Sequence, residues 1–298
     1  MVGEAPGASA MALLKTLQVR PGQRVLHIGL HTGAWATLLA HRGATVTATT
    51  TDLARIGPVQ DFVDRHELPV QVEAADARAG WPLGAPYDAI IALDDGVQEI
   101  PTRWTQQLRP EGLLLAHCEL APSAGNPATL IRGTAHELTG TFCSFPQTAT
   151  DTVRSGEPFP RTTDSASKRT TAVPWRDDRI VWVLAHLLGM PAAVRTSLLV
   201  PPDRSVPTGV LSTPDGSWAE VADLPGPDGR WPVTESGPTR LWSLVEEAFT
   251  CWHDHGRPPW EHFQLSYAPG HQAVTLTGHR GLRWSRDSPE SAWNTPET

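Results

Sequence analysis

The sequence predicts an α/β protein: a doubly wound, mostly parallel sheet followed by a smaller α+β unit. Three observations carry that expectation. A buried apolar run of Val25, Leu26 and Ile28 leads straight into the turn Gly29-Leu-His-Thr-Gly33 and then a helix, the place where α/β proteins hold nucleotide-like ligands at a helix N-terminus. From residue 12 to about 118, helical and buried-strand patterns alternate, as crossover units require. After Thr141 the alternation stops, and nine of the twelve tryptophans lie beyond residue 150.

In order along the chain, a helix over Met11 to Leu17 leads in, and strands fall at Arg24 to Gly29, Thr45 to Thr50, Val70 to Ala75, Tyr87 to Leu93 and Gly112 to His117. The crossovers between them are Trp35 to His41, a helix broken near Gly57-Pro58, and Ile100 to Leu108. Right-handed crossovers place the carboxyl ends of these strands on one edge, with the ligand site beside them. The stretch Asp151 to Val173 is rich in Ser, Thr, Pro and charge and reads as a linker or mobile loop. Beyond it, Asp178 to Leu188 forms a helix with Asp177 as cap and Gly189 and Pro191 as stop. A second helix starts at Pro238, carries Leu241, Val245, Ala248 and Trp252 at core spacing, and stops at Gly256 and Pro258. Trp218-Ala-Glu-Val reads as a short strand, and Phe263 to Tyr267 with Ala273 to Thr277 reads as a hairpin. The expected organisation is a first domain over 1–150, a linker over 151–175 and a recognition unit over 176–298.

Composition narrows the function. A net charge of −8 with nearly absent lysines and scattered arginines provides no stripe to neutralise phosphates, so nucleic acid is not an expected partner. Cys118, Cys143 and Cys251 are odd in number and unpaired in spacing, which argues against a disulfide framework or structural zinc and fits a reducing, cytoplasmic setting. The start of the chain shows neither a basic nor an apolar signal region, and the longest apolar stretch, Ile180 to Val194, is interrupted by His186, Gly189 and Pro191. Neither export by that route nor a membrane span is expected. Cys251, His253 and His255 sit at i, i+2 spacing on one helix, where side chains diverge, so no metal site is expected there.

The residues placed to cradle an adenosine-containing ligand are Gly29, His31 and Gly33 in the turn, Thr50 and Asp52 after the second strand, and Asp76 and Ala77 after the third. Glycines in the turn let backbone approach a ligand with no Cβ in the way. An acid ending the second strand would accept from both ribose hydroxyls; here the position holds Thr50, with Asp52 two residues on. Asp76 is placed to accept from an exocyclic adenine amine.

The stretch Asp76-Ala-Arg-Ala-Gly80-Trp-Pro-Leu-Gly-Ala85-Pro-Tyr-Asp-Ala-Ile90, the run Val97 to Gly112 with Pro101, Gln107-Leu108 and Pro110-Glu-Gly112, and the upstream Pro21-Gly22-Gln-Arg-Val-Leu-His-Ile-Gly29 together resemble the protein-L-isoaspartate O-methyltransferase family. The resemblance covers about residues 10 to 120. It implies a class I methyltransferase (Rossmann-like) sheet, S-adenosyl-L-methionine as cofactor, and methyl transfer to an Asp or isoAsp carboxylate of a protein or peptide. The second half is similar to the C-terminal extension of a subgroup found with ribosomally made, modified peptides of the lanthipeptide and ATP-grasp type. The pieces that carry this are Asp215-Gly-Ser-Trp-Ala219, Gly237-Pro-Thr-Arg-Leu-Trp242, Gly256-Arg-Pro258, Phe263-Gln-Leu-Ser and Gln272.

Against the family pattern, His31 takes the place of a glycine and would crowd the methionine end of the cofactor, Thr50 replaces the ribose-binding acid, and Ala75 and Ala77 replace glycines. The family's Ser/Thr-rich substrate segment is expected upstream of the first helix, where Ser9 is the one hydroxyl present. Asp94 and Asp95 end the fourth strand; they are either a helix cap or carboxylates facing the pocket, where they would repel an anionic substrate unless counter-charged. Ser9, Asp94 and Asp95 are therefore the candidate catalytic residues. Two readings remain: a carboxyl methyltransferase acting on a peptide gripped by the C-terminal unit, and a catalytically inactive pseudo-methyltransferase that serves as binding or scaffold partner for a modifying enzyme. A nicotinamide-dependent enzyme ranks third, because Thr50 removes the ribose acid.

Overall fold

The structure, a computed structural model, describes residues 8–30, 33–121, 128–134, 137–144, 159–160, 166–175, 179–199, 206–268, 271–278 and 282–287. It divides into two compact units: Met1–Glu119 with Pro127–Pro146 and Phe263–Gln272, and Leu120–Asn126 with Gln147–His262 and Ala273–Thr298.

The first unit runs α1 (Ala8–Leu17), β1 (Arg24–Ile28), α2 (Ala34–His41), β2 (Thr45–Thr50), α3 (Leu53–Arg65), β3 (Val70–Ala74), β4 (Tyr87–Val97), α4 (Thr102–Gln106), β5 (Leu108–Cys118), β6 (Ala128–Thr134) and β7 (Glu137–Ser144). Strands β3, β2, β1, β4 and β5 lie side by side in that order, all parallel. The order reverses between β1 and β4, so the crevice of a doubly wound sheet opens at their carboxyl ends. Antiparallel β6 and β7 extend the sheet past β5. The core is formed where the apolar stripes of α1, α2 and α3 meet the sheet: Leu13, Leu14, Leu17, Leu39, Val59 and Val63 pack with Val25, Val46 and Ile91.

The parallel sheet expected from the sequence is present, with three local differences. Helix α3 runs unbroken through Pro58: the one hydrogen bond Pro58 cannot donate is outweighed by the burial of Val59 and Val63 in the core. Helix α4 is short and β5 begins at Leu108 rather than Gly112. Strand β4 continues to Val97 through an irregularity between Ala92 and Val97, so Asp94 and Asp95 lie within it, and α4 is preceded by Pro101 rather than by either aspartate. The helix-cap reading of these two residues is thereby corrected.

The second unit continues with β8 (Ser167–Thr171), α5 (Arg179–Leu187), β9 (Arg195–Leu199), β10 (Thr208–Ser212), β11 (Trp218–Ala222), β12 (Trp231–Ser236) and α6 (Leu241–Asp254). Its five strands form an antiparallel sheet ordered β8, β12, β11, β10, β9, and α6 packs on its central three strands while α5 packs on α6. This is the α+β unit expected, but it begins earlier than the sequence implied. Ser167–Thr171 lies in the stretch read as linker and instead forms edge strand β8, whose side chains are exposed except at Arg169 and Thr171; an edge strand needs no apolar alternation. Residues 151–158 and 161–165 of that stretch, and the cap at Asp177, fall outside the described residues.

Strands β13 (Phe263–Ala268), β14 (His271–Leu276) and β15 (Arg283–Arg286) follow. Strand β13 pairs antiparallel with β7, Gln264 opposite Thr141, and so belongs to the first unit although the sequence assigned it to the C-terminal one.

Candidate functional site

Strand β1 ends at Gly29, whose φ of 88° lies in the left-handed region, where a Cβ is penalised. Its N–H donates to Thr49 O at 3.1 Å, tying the turn to β2. Gly33, at φ 75°, precedes α2, and an added Cβ there would approach Val59 Cγ1 to 3.1 Å. The turn therefore requires glycine at both ends, for conformation at the first and for conformation and packing at the second. His31 lies between them, outside the described residues together with Thr32.

At the end of β2, Thr50 is 9 % exposed and its Oγ1 accepts from Asp52 N at 3.0 Å. Asp52 caps α3: Oδ1 accepts from Ala54 N at 3.1 Å and Oδ2 from Arg55 Nε at 2.8 Å. The Arg55 hydrogen bond holds its carboxyl below the usual range. Both residues sit at the edge expected for ribose recognition, yet each is engaged in closing its own loop. At the end of β3, Asp76 Oδ1 accepts from Arg78 N at 3.0 Å and caps a 3-10 turn over Ala77–Ala79. Neither Ala75 nor Ala77 has a positive φ, so alanine in place of glycine costs no backbone strain at either position.

The motif pieces around Gly80 and Gln107 meet in space. Gln107, 5 % exposed, accepts from Trp81 N at 2.9 Å through Oε1 and donates through Nε2 to Ala79 O at 2.8 Å and Arg103 O at 2.9 Å. Gly80 has φ 63°, and a Cβ there would stand 2.8 Å from Gln107 Oε1. Trp104 completes the brace, its Nε1 donating to Ala77 O at 2.8 Å. Sequence reading placed Gln107 in a motif and gave Trp104 no role. Trp104 lies in α4 and Gln107 caps its end, and so short a helix has no periodic signal to show that either faces the loop after β3.

A cleft of about 340 Å³ opens at the carboxyl ends of β1 and β4, within the range of small-molecule sites. Ile28, Gly29, Ala77, Gly96 and Trp104 line it, with Arg78, Gln98 and Glu119 supplying polar groups. Gly29 and Ala77 are thus brought together from the sequence-predicted set. Asp76 lines an adjoining recess, while Thr50 and Asp52 are outside the lining of both. Gln272, at the start of β14, donates to Gln98 O at 2.6 Å and holds the wall of the cleft after β4. Ser9 lies in α1 and Asp94 and Asp95 in β4; their side chains are outside the described ones.

Cys251 on α6 and His255 just after it make a local contact, His255 Nδ1 lying 2.7 Å from Cys251 O. Among the described residues no three His, Cys, Asp or Glu side chains are grouped to hold a metal ion, and no helix is long and apolar enough to cross a membrane.

The resemblance to known proteins covers the segment that carries α1 to β5. Residues 4–123 match the family model of protein-L-isoaspartate(D-aspartate) O-methyltransferase (PCMT). Over 120 residues the chain is 34 % identical to the protein-L-isoaspartate O-methyltransferase of Methylorubrum extorquens, covering 40 % of this chain and 50 % of that one. It is 33 % identical over 132 residues to protein-L-isoaspartate O-methyltransferase 1 of Rhodopseudomonas palustris, covering 43 % and 52 %. The chain thus spans about half the length of these relatives. A solved protein-L-isoaspartate O-methyltransferase aligns over 91 % of this chain and 80 % of its own at 20 % identity, with a TM-score of 0.47.

Proposed function

We propose that the first unit binds S-adenosylmethionine in the cleft between β1 and β4 and transfers its methyl group to an Asp or isoAsp carboxylate of a protein or peptide. The observation that carries this is the meeting of Gly29 and the braced Asp76–Ala79 loop at one cleft, inside the 4–123 segment that matches the family. The fit of the residues to the cofactor is good at two of three points. Gly29 leaves bare backbone at the cleft floor, and Asp76 keeps Oδ2 free of the turn it caps, since only Oδ1 accepts from Arg78 N, leaving an acceptor for an adenine amine. At the third, the ribose position, Asp52 lies outside the lining of the cleft and both its oxygens already accept, from Ala54 N and Arg55 Nε.

When bound, the cofactor supplies a sulfonium methyl that a carboxylate attacks directly, without an acid or base. The protein's part is to align the acceptor and keep water out. Trp104 and Ala77 give the cleft an apolar wall, and Gln272 fixes the backbone at Gln98. Ser9, Asp94 and Asp95 stay candidates for contact with the acceptor, and the second unit is assigned to gripping a peptide of the ribosomally made, modified kind. Three free cysteines fit a cytoplasmic setting.

A second reading is favoured by the contacts at the end of β2, where Thr50 Oγ1 and both Asp52 oxygens serve their own loop: an inactive scaffold that partners a modifying enzyme. Titration calorimetry with S-adenosylmethionine and S-adenosylhomocysteine separates the two. Micromolar binding by the unaltered protein supports the enzyme. No binding, with recovery in His31→Gly, supports the scaffold and overturns the enzyme.

A further inference from the structure

We propose that Arg78, Arg103 and Thr102 form a recess that takes a carboxylate of an acidic peptide beside the methyl-transfer cleft. The inference rests on the carboxyl methyltransferase reading and names the substrate class for that site: an acceptor flanked by further acidic residues. The recess, of about 340 Å³, is lined by Asp76, Arg78, Ala79, Pro101, Thr102 and Arg103. It shares Arg78 and Pro101 with the cleft, so one extended peptide reaches both.

Among the described residues, neither the Arg78 nor the Arg103 guanidinium makes an ion pair or hydrogen bond. Other arginines of the same unit are engaged: Arg24 donates to Gly84 O, Arg55 pairs with Asp52 and Arg109 with Asp88. In a chain of net charge −8, two unpaired guanidinium groups line one recess, and their planar forks match a carboxylate. Asp76, the one acid among the described residues of the lining, turns Oδ1 to the backbone N–H of Arg78. The Arg78 charge also reaches Tyr267 on β13: burial raises that phenol's pKa, Glu99 adds to the rise, and Arg78 opposes it.

The two arginines are pre-positioned. Gln107 Nε2 donates both to Ala79 O, next to Arg78, and to Arg103 O, so a single buried amide fixes the two arginine-bearing segments relative to each other. The backbone at both is thus fixed, and only the two side chains remain to be ordered when an anion arrives.

The test is fluorescence anisotropy with two fluorescein-labelled peptides, one alternating Glu and Ala and the other alternating Gln and Ala, each with and without saturating S-adenosylhomocysteine. The unaltered protein is expected to bind the Glu peptide about tenfold more tightly than the Gln peptide, as two exposed charge pairs would give. Arg78→Gln and Arg103→Gln each reduce the preference roughly threefold, the double variant abolishes it, and Arg78→Lys retains part of it. Equal binding of both peptides to the unaltered protein, a preference that survives the double variant, or binding of inorganic phosphate but of neither peptide overturns the proposal. Failure of S-adenosylhomocysteine to bind would instead overturn the methyltransferase reading, and the Glu preference measured without it still decides the recess.

Discussion

The two units use their sequence motifs in opposite ways. In the first, Gly80, Trp81 and Gln107 interlock behind the cleft and leave Asp76, Arg78 and the Gly29 backbone facing open space. In the second, the segments Asp215–Ala219 and Gly237–Trp242 satisfy each other. Ser217 N and Thr213 Oγ1 both donate to Asp215 Oδ1, at 2.9 and 2.5 Å. Thr239 N donates to Ser217 Oγ at 3.0 Å, and an added Cβ at Gly237 would stand 2.4 Å from Ser217 Cα. The lesson is that a motif recurring in sequence can mark either a site or a joint, and only the polar groups left over after internal bonding distinguish them.

The largest expected effect falls on the second unit's interior. Glu235, 2 % exposed, accepts from Arg169 Nη2 at 2.8 Å, Ser243 Oγ at 3.0 Å and Trp242 N at 3.1 Å, while Arg169 Nη1 reaches Glu246 at 2.6 Å. Arg169→Ala leaves a buried carboxylate without its counter-ion and should cost about 3–5 kcal/mol in urea unfolding, with S-adenosylhomocysteine binding unchanged. Loss of that binding in a folded variant would break the contrast between joint and site.

Acid should weaken both units. His27 and His186 are buried and their pKa values fall from 6.5 to about 4. Because the unfolded chain takes up protons first, the stability each contributes is complete above pH 6.5 and is lost as pH falls through about 4, about 3 kcal/mol per histidine. Neither ring nitrogen of His27 has a hydrogen-bond partner, whereas His186 bonds the backbone at Met190. Thermal melts from pH 7.5 to 4.5 should therefore show His27→Leu losing less stability on acidification than the unaltered protein. An unchanged pH slope contradicts the assignment.

Gly237→Ala should destabilise by about 2–3 kcal/mol, since φ is 106° and the new Cβ meets backbone. A smaller loss, about 1–2 kcal/mol, is expected for Trp104→Phe, which removes the bond to Ala77 O. There the sharper readout is ligand affinity. A weaker grip on S-adenosylhomocysteine with only a slight drop in melting temperature would mark Trp104 as part of a site, as Gly237 is part of a joint.

The parallel core was legible because its signals are local. Val25, Leu26 and Ile28 announce a buried strand, and Gly29 and Gly33 adopt the positive φ that their identity permits. What was not legible depends on distant partners. Nothing in Phe263–Ala268 points to β7 as its neighbour, because pairing partners are chosen by tertiary fit. Ser167–Thr171 reads as linker because an edge strand with Arg169 turned to Glu235 and Glu246 needs polar residues. Of the candidate site, Gly29, Asp76 and Ala77 came from spacing alone. Arg103 and Trp104 did not, since a short helix of mixed character has no periodic signature to show which residues face a cleft.

Strand β13 gives the first unit a history as well as a shape. During synthesis β7 leaves the ribosome long before Phe263–Ala268 exists to cover its outer edge, so the nascent sheet carries an unpaired edge while Gln147–His262 of the second unit is being made. Exposed edges recruit other chains, and distant pairings form late. The stretch that covers this edge also leads into Gln272, which holds Gln98 in the wall of the cleft, so that wall is complete only once the chain through Gln272 has been made.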